Sequence, residues 1–127
     1  MSEPIFLTVA QVEALHEESI QEFGGTLGTR DRHTLEAAAI HPQNVHFYGG
    51  GDLFEIAAAY AFHIAEAQAF LDGNKRTGIA AGIAFLKLNQ IIIRRGQDRL
   101  YDAMIGIAEH RIGKPELASL LRELADT

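Results

Sequence analysis

The chain has 127 residues, with 17 acidic side chains against 11 basic ones, six histidines and no cysteine. This length predicts a single domain over residues 1–127, inside the usual ~100–200 residues and large enough to fold without disulfide or structural zinc. The missing cysteine excludes thiolate metal sites and thiol nucleophiles, and a net charge of −6 argues against broad binding to nucleic acid or anionic membranes.

Met1–Thr8 lacks a basic region followed by a long apolar stretch, so no secretory signal is expected there. The longest apolar run, Ile56–Phe62, falls well short of the ~20 residues of a membrane-spanning helix. A cytoplasmic, all-α protein is the expectation, with nineteen alanines and three prolines favouring helix. Thr8, with Gln11 three residues on, reads as the cap of a helix to about Phe23, whose face carries Val9, Val12, Leu15 and Ile20. A short helix, roughly Asp31–Ile40, is predicted to stop at His41-Pro42, followed by a loop over Gln43–Gly51. Asp52 caps the next helix, to about Ala69, which is apolar nearly all round and so marked for burial. After Phe70-Leu71-Asp72-Gly73, a second apolar helix runs from Asn74 to about Asn89, with Gly78 and Gly82 spaced to admit a close neighbour. Ile91-Ile92-Ile93 reads as a brief strand or extended link. Two amphipathic helices follow, about Asp98–His110 and Lys114 or Pro115 to Leu124. The expected architecture is two central buried helices wrapped by about four others.

Between the two buried helices stands Asp72-Gly73-Asn74-Lys75-Arg76-Thr77, strongly polar at the start of a core helix. One reading is a solvated helix cap, with Asp72 near the N-cap. The other is an anion site. Two cations in a first turn oppose the helix dipole by ~0.3–1 kcal/mol, yet they suit a phosphate chain held with the free N–H groups of that turn. Asp72 is then placed to hold Mg²⁺ against the same phosphates, and Asn74 to position a phosphoryl oxygen or the acceptor. The glycine spacing of a Walker A loop is missing.

Phe70-Leu71-Asp72-Gly73-Asn74-Lys75-Arg76-Thr77 resembles the signature of the Fic/Doc family, in its Doc (death-on-curing) toxin branch. Phe6-Leu7, Phe23-Gly24-Gly25, Gly28-Thr29-Arg30-Asp31, Asp52–Ala58 and Leu100-Tyr101-Asp102 resemble Doc-type segments in the same order. The resemblance implies a Fic-type helical core. It implies Asp72 as the Mg²⁺ ligand, Gly73 and Asn74 as the anion-binding turn and Arg76 as the phosphate contact. Lys75 and Ile79 stand where adenylylating relatives carry glycine and a second arginine, so transfer of the γ-phosphate of ATP is implied in place of adenylylation. The implied target is a protein hydroxyl, as on elongation factor Tu, and the implied partner is an antitoxin. Gln43–Gly51 is the expected flap that aligns the target.

One departure matters. The family motif opens with histidine and proline, where this chain has Gln68 and Ala69. An amide lacks the basic lone pair of the family's general base, which predicts impaired transfer or a protein that binds without transferring. His63, five residues earlier, sits ~140° around the helix from Gln68 and is expected to be structural. His46 in the loop is a weak substitute, and His16, His33, His41 and His110 read as peripheral, solvated or capping residues. Ser119 and Glu123 are followed by Leu124, so the pattern of the family's inhibitory helix is incomplete and no built-in inhibitor is expected.

Overall fold

The computed structural model describes residues 3–125. Six helices make up the fold: α1 (Val9–Phe23), α2 (Arg32–Phe47), α3 (Leu53–Ala67), α4 (Asn74–Leu88), α5 (Gln97–Ala108) and α6 (Lys114–Ala125). Helix α3 is the axis, with Ile56, Tyr60 and Ile64 buried, and α4, α2 and α6 pack around it. The all-α expectation holds. Ile91–Ile93 is a link without strand pairing, and Ile93 is buried.

Side-chain caps at Thr8, Asp31 and Asp52 open the first three helices. Thr8 and Gln11 form a reciprocal capping box, the Gln11 N–H reaching Thr8 Oγ1 at 3.1 Å and the Thr8 N–H reaching Gln11 Oε1 at 2.8 Å. Asp52 and Glu55 repeat the arrangement at α3. Gly78 and Gly82 set the α3–α4 spacing. A Cβ added at Gly78 would lie 2.5 Å from the Ala61 carbonyl oxygen, and one at Gly82 would lie 3.0 Å from that of Ala57.

Helix α2 corrects the expected stop at His41-Pro42. It runs through Pro42 to Phe47, so most of the segment read as the loop Gln43–Gly51 is helical. Proline costs the ladder one hydrogen bond, but Pro42 is buried, Val45 packs on the core, and Phe6 lies 6.1 Å from the His46 ring and 5.9 Å from the Phe47 ring. Tertiary burial outweighs the local break.

His63 points into a separate cluster, as its helical phase requires. Its ring stacks on His41 at 3.8 Å, and Lys114 Nζ donates to its Nε2 at 3.1 Å. Burial, then the neighbouring His41 and Lys114, push its pKa down from 6.5 to about 4. Between those values the unfolded chain binds the proton and the folded chain does not, so stability is lost as pH falls through this window. Thermal midpoints should therefore drop between pH 6.5 and 4, and His63→Gln should flatten that decline. An equal decline in the variant would contradict this.

Candidate functional site

The polar turn between α3 and α4 is built by a chain that reverses in a few residues. Gln68 closes α3 in the left-handed region, with φ 52° and ψ 36°. Its Nε2 donates to the Ala65 carbonyl at 2.9 Å, while its Oε1 lies 3.5 Å from the donating Nδ2 of Asn74. Both polar ends of the amide are thus turned back on the motif.

The next residues are fixed from two sides. Thr29 and Phe70 form an antiparallel bridge. The N–H groups of Arg30 and Asp31 donate to Ala69 at 2.6 and 3.1 Å, and that of Leu71 donates to Gly28 at 3.0 Å. From α1, His16 stacks flat on Phe70, with ring centroids 3.9 Å apart, and its Nε2–H donates to the Asp72 carbonyl at 2.8 Å. His16 is 2% exposed. The peripheral, solvated role expected for it is therefore wrong. It lies under the motif, and its spacing from Val12 at i+4 was the available signal for the buried face of α1.

Asp72 is not the N-cap of α4; Gly73 is, at φ 74°. The Asp72 carboxylate instead accepts from Gly73 N at 2.9 Å and from Thr26 N at 3.2 Å, tying the motif to the α1–α2 loop. Asn74 also differs from expectation. Its side chain is buried and bridges both backbone groups of Phe70, each at 3.1 Å, so it shapes the turn and leaves only its backbone N–H for a ligand. The first helical bond of α4 comes from Thr77 N, so the N–H groups of Asn74, Lys75 and Arg76 have no partner among the described residues.

These groups meet at one cavity of about 260 Å³, lined by Phe23, Gly24, Leu71, Tyr101, Gln68 and the run Asp72-Gly73-Asn74-Lys75-Arg76. Every candidate site residue of the sequence reading is in that lining. Neither Lys75 nor Arg76 has a carboxylate partner among the described residues. None of the six histidines lines the cavity. The proposed substitute His46 lies near the α3 N-terminus, about 22 Å along a 15-residue helix from Gln68. Gly50 and Gly51 lie at the same end, and no residue of Gln43–Gly51 lines the cavity. The segment beside the cavity is the α1–α2 loop, residues 24–31, whose pairing with Phe70 could only be seen in three dimensions.

Among the described residues no group of three or more histidine or acidic side chains gathers as a metal site. Asp72 supplies a single exposed carboxylate, which suits Mg²⁺ arriving with phosphate oxygens better than a bare ion. No helix of the described residues is long and apolar enough to cross a membrane.

A helical core with a polar, cation-bearing turn between its two central helices defines the class. The chain belongs to the Fic/DOC family, whose model matches residues 6–86. It is 33% identical over 112 residues to the protein kinase doc of Escherichia phage P1, covering 87% of this chain and 88% of that protein. It is 38% identical over 108 residues to the toxin Doc of Mycolicibacterium smegmatis, covering 81% of this chain and 80% of that one.

Proposed function

We propose that this chain is a Doc-type toxin that binds Mg²⁺–ATP at the α3–α4 turn and transfers the γ-phosphate to a serine or threonine hydroxyl of a protein target. Gln68 holds its rate down. The observation that carries this reading is the convergence of Lys75, Arg76 and three unpartnered N–H groups on one cavity beside Asp72. A helix N-terminus with two free cations suits a polyphosphate, and phosphoryl transfer depends chiefly on positioning and charge neutralisation. Asp72 would hold Mg²⁺, which draws charge from the phosphates. Arg76 and the turn N–H groups orient the chain of phosphates. The name of the phage relative, a protein kinase, supports the same transfer. Elongation factor Tu as target, an antitoxin as partner and a cytoplasmic location follow from the resemblance to Doc toxins.

A second reading, nucleotide or partner binding without transfer, is favoured by one observation. Gln68 lines the cavity with an amide held by Ala65 and Asn74, a group that can hydrogen-bond a hydroxyl but has no base to take its proton. Adenylylation is the less favoured third. Ile79, at the position of the second arginine, lines the apolar groove next to the cavity and offers phosphate no donor.

Position-specific label separates the three. With a translation extract as acceptor, γ-labelled ATP should mark protein and α-labelled ATP should not. Label from the α position would establish adenylylation. Absence of both, even after histidine is restored at position 68, would leave the binding role.

A further inference from the structure

Arg76 is the third residue of α4, where the helix dipole disfavours a cation, and no acid among the described residues holds it. What fixes it is a pair of rings. The guanidinium carbon lies 4.0 Å from the Phe23 ring centre and 4.4 Å from that of Tyr101. Phe23 ends α1, while Tyr101 projects from α5 beside buried Leu100 and one turn before buried Met104. Three helices therefore meet at one side chain.

A carboxylate anchor would occupy the N–H edges of the guanidinium, which are the groups that bind an oxyanion. Rings 4.0 and 4.4 Å from the guanidinium carbon restrain it without acting as strong acceptors at those edges, as a carboxylate would. We infer that Phe23 and Tyr101 are positioning residues that hold Arg76 so that its edges meet a polyphosphate in the cavity. This rests on the reading of the turn as a polyphosphate site. The part played by α5 is new to that reading. The phenolic hydroxyl has no share in it, so the ring alone should suffice, and lysine, lacking a planar face, should not replace Arg76.

The test titrates inorganic tripolyphosphate into the full chain and its variants, with the thermal midpoint recorded for each. Tyr101→Phe should bind like the unmodified chain. Tyr101→Leu should bind roughly threefold to tenfold more weakly, and should cause no further loss once Arg76→Ala is present. Phe23→Leu, at an exposed helix end, should show the same loss and the same dependence on Arg76 if Tyr101→Leu proves unstable. The Arg76 Nε–H resonance should carry a ring-current shift that Tyr101→Phe keeps and the leucine variants reduce. Unchanged affinity in both leucine variants would overturn the proposal while leaving the phosphate site intact. An equal loss with Arg76 already removed would also overturn it. Failure of the unmodified chain to bind tripolyphosphate would overturn the polyphosphate reading itself, and this proposal with it.

Discussion

Gln68→His should raise γ-phosphate transfer by about 10²–10⁴-fold, the usual worth of a positioned general base. The substitution returns a basic nitrogen to the one position of the cavity lining where the family motif carries histidine, in a chain whose six histidines all lie outside that lining. The backbone there favours the change. Gln68 already holds the left-handed conformation at φ 52°, and histidine is among the non-glycine residues enriched in it. The gain should show a rising limb as pH passes through the imidazole range, because only the neutral ring accepts a proton. The unmodified chain should lack that limb. ATP affinity should change little, since Lys75, Arg76 and the N–H groups of the turn are untouched. A variant that transfers no faster than the parent would mean that the departure at Gln68 is not what limits this protein.

The largest effect on stability should come from Gly78. Replacing it by alanine improves intrinsic helix propensity by ~1 kcal/mol, so a view based on local preference expects a gain. Packing reverses the sign. The added Cβ would lie 2.5 Å from the Ala61 carbonyl oxygen, a backbone atom of buried α3 that yields only if the two central helices separate. A net loss of about 1–3 kcal/mol is expected from such overpacking. Gly82→Ala, whose contact with Ala57 is 3.0 Å, should lose less. Urea midpoints for the two variants would check the order. Stabilisation by Gly78→Ala would show that the α3–α4 contact is looser than described.

What the sequence disclosed and what it hid divide along the same physical line. Thr8 with Gln11 and the cap at Asp52 form as read, and the structure adds Glu55 as the reciprocal partner of Asp52. The apolar run of α3 and the glycine spacing of α4 identify the central pair because burial and close approach each require them. The cations misplaced against the dipole mark the turn, and all the candidate residues line its cavity. Long-range features were hidden. His16 joins Asp72 across 56 positions, and the Thr29–Phe70 pairing that brings residues 24–31 to the cavity has no local signature. Pro42 gives a true local stop signal, which burial overrides. Asp72, read as near the cap, stands immediately before the N-cap Gly73, and its carboxylate accepts Thr26 N–H from another loop, a contact with no local signature. For Asn74, residue type gave the position, while the contact of its amide with Phe70, which closes the turn, had no signal in the sequence.

If the Asp72–Arg76 turn holds a polyphosphate, calorimetric titration of ATP with and without Mg²⁺ reads that binding directly. Saturable binding is expected, at least tenfold weaker in Arg76→Ala, where a charge-assisted contact worth about 1.5–3 kcal/mol is lost. Asp72→Ala should remove the Mg²⁺ dependence. Equal affinities in the parent, Arg76→Ala and Asp72→Ala would contradict the account and place any nucleotide elsewhere on the molecule.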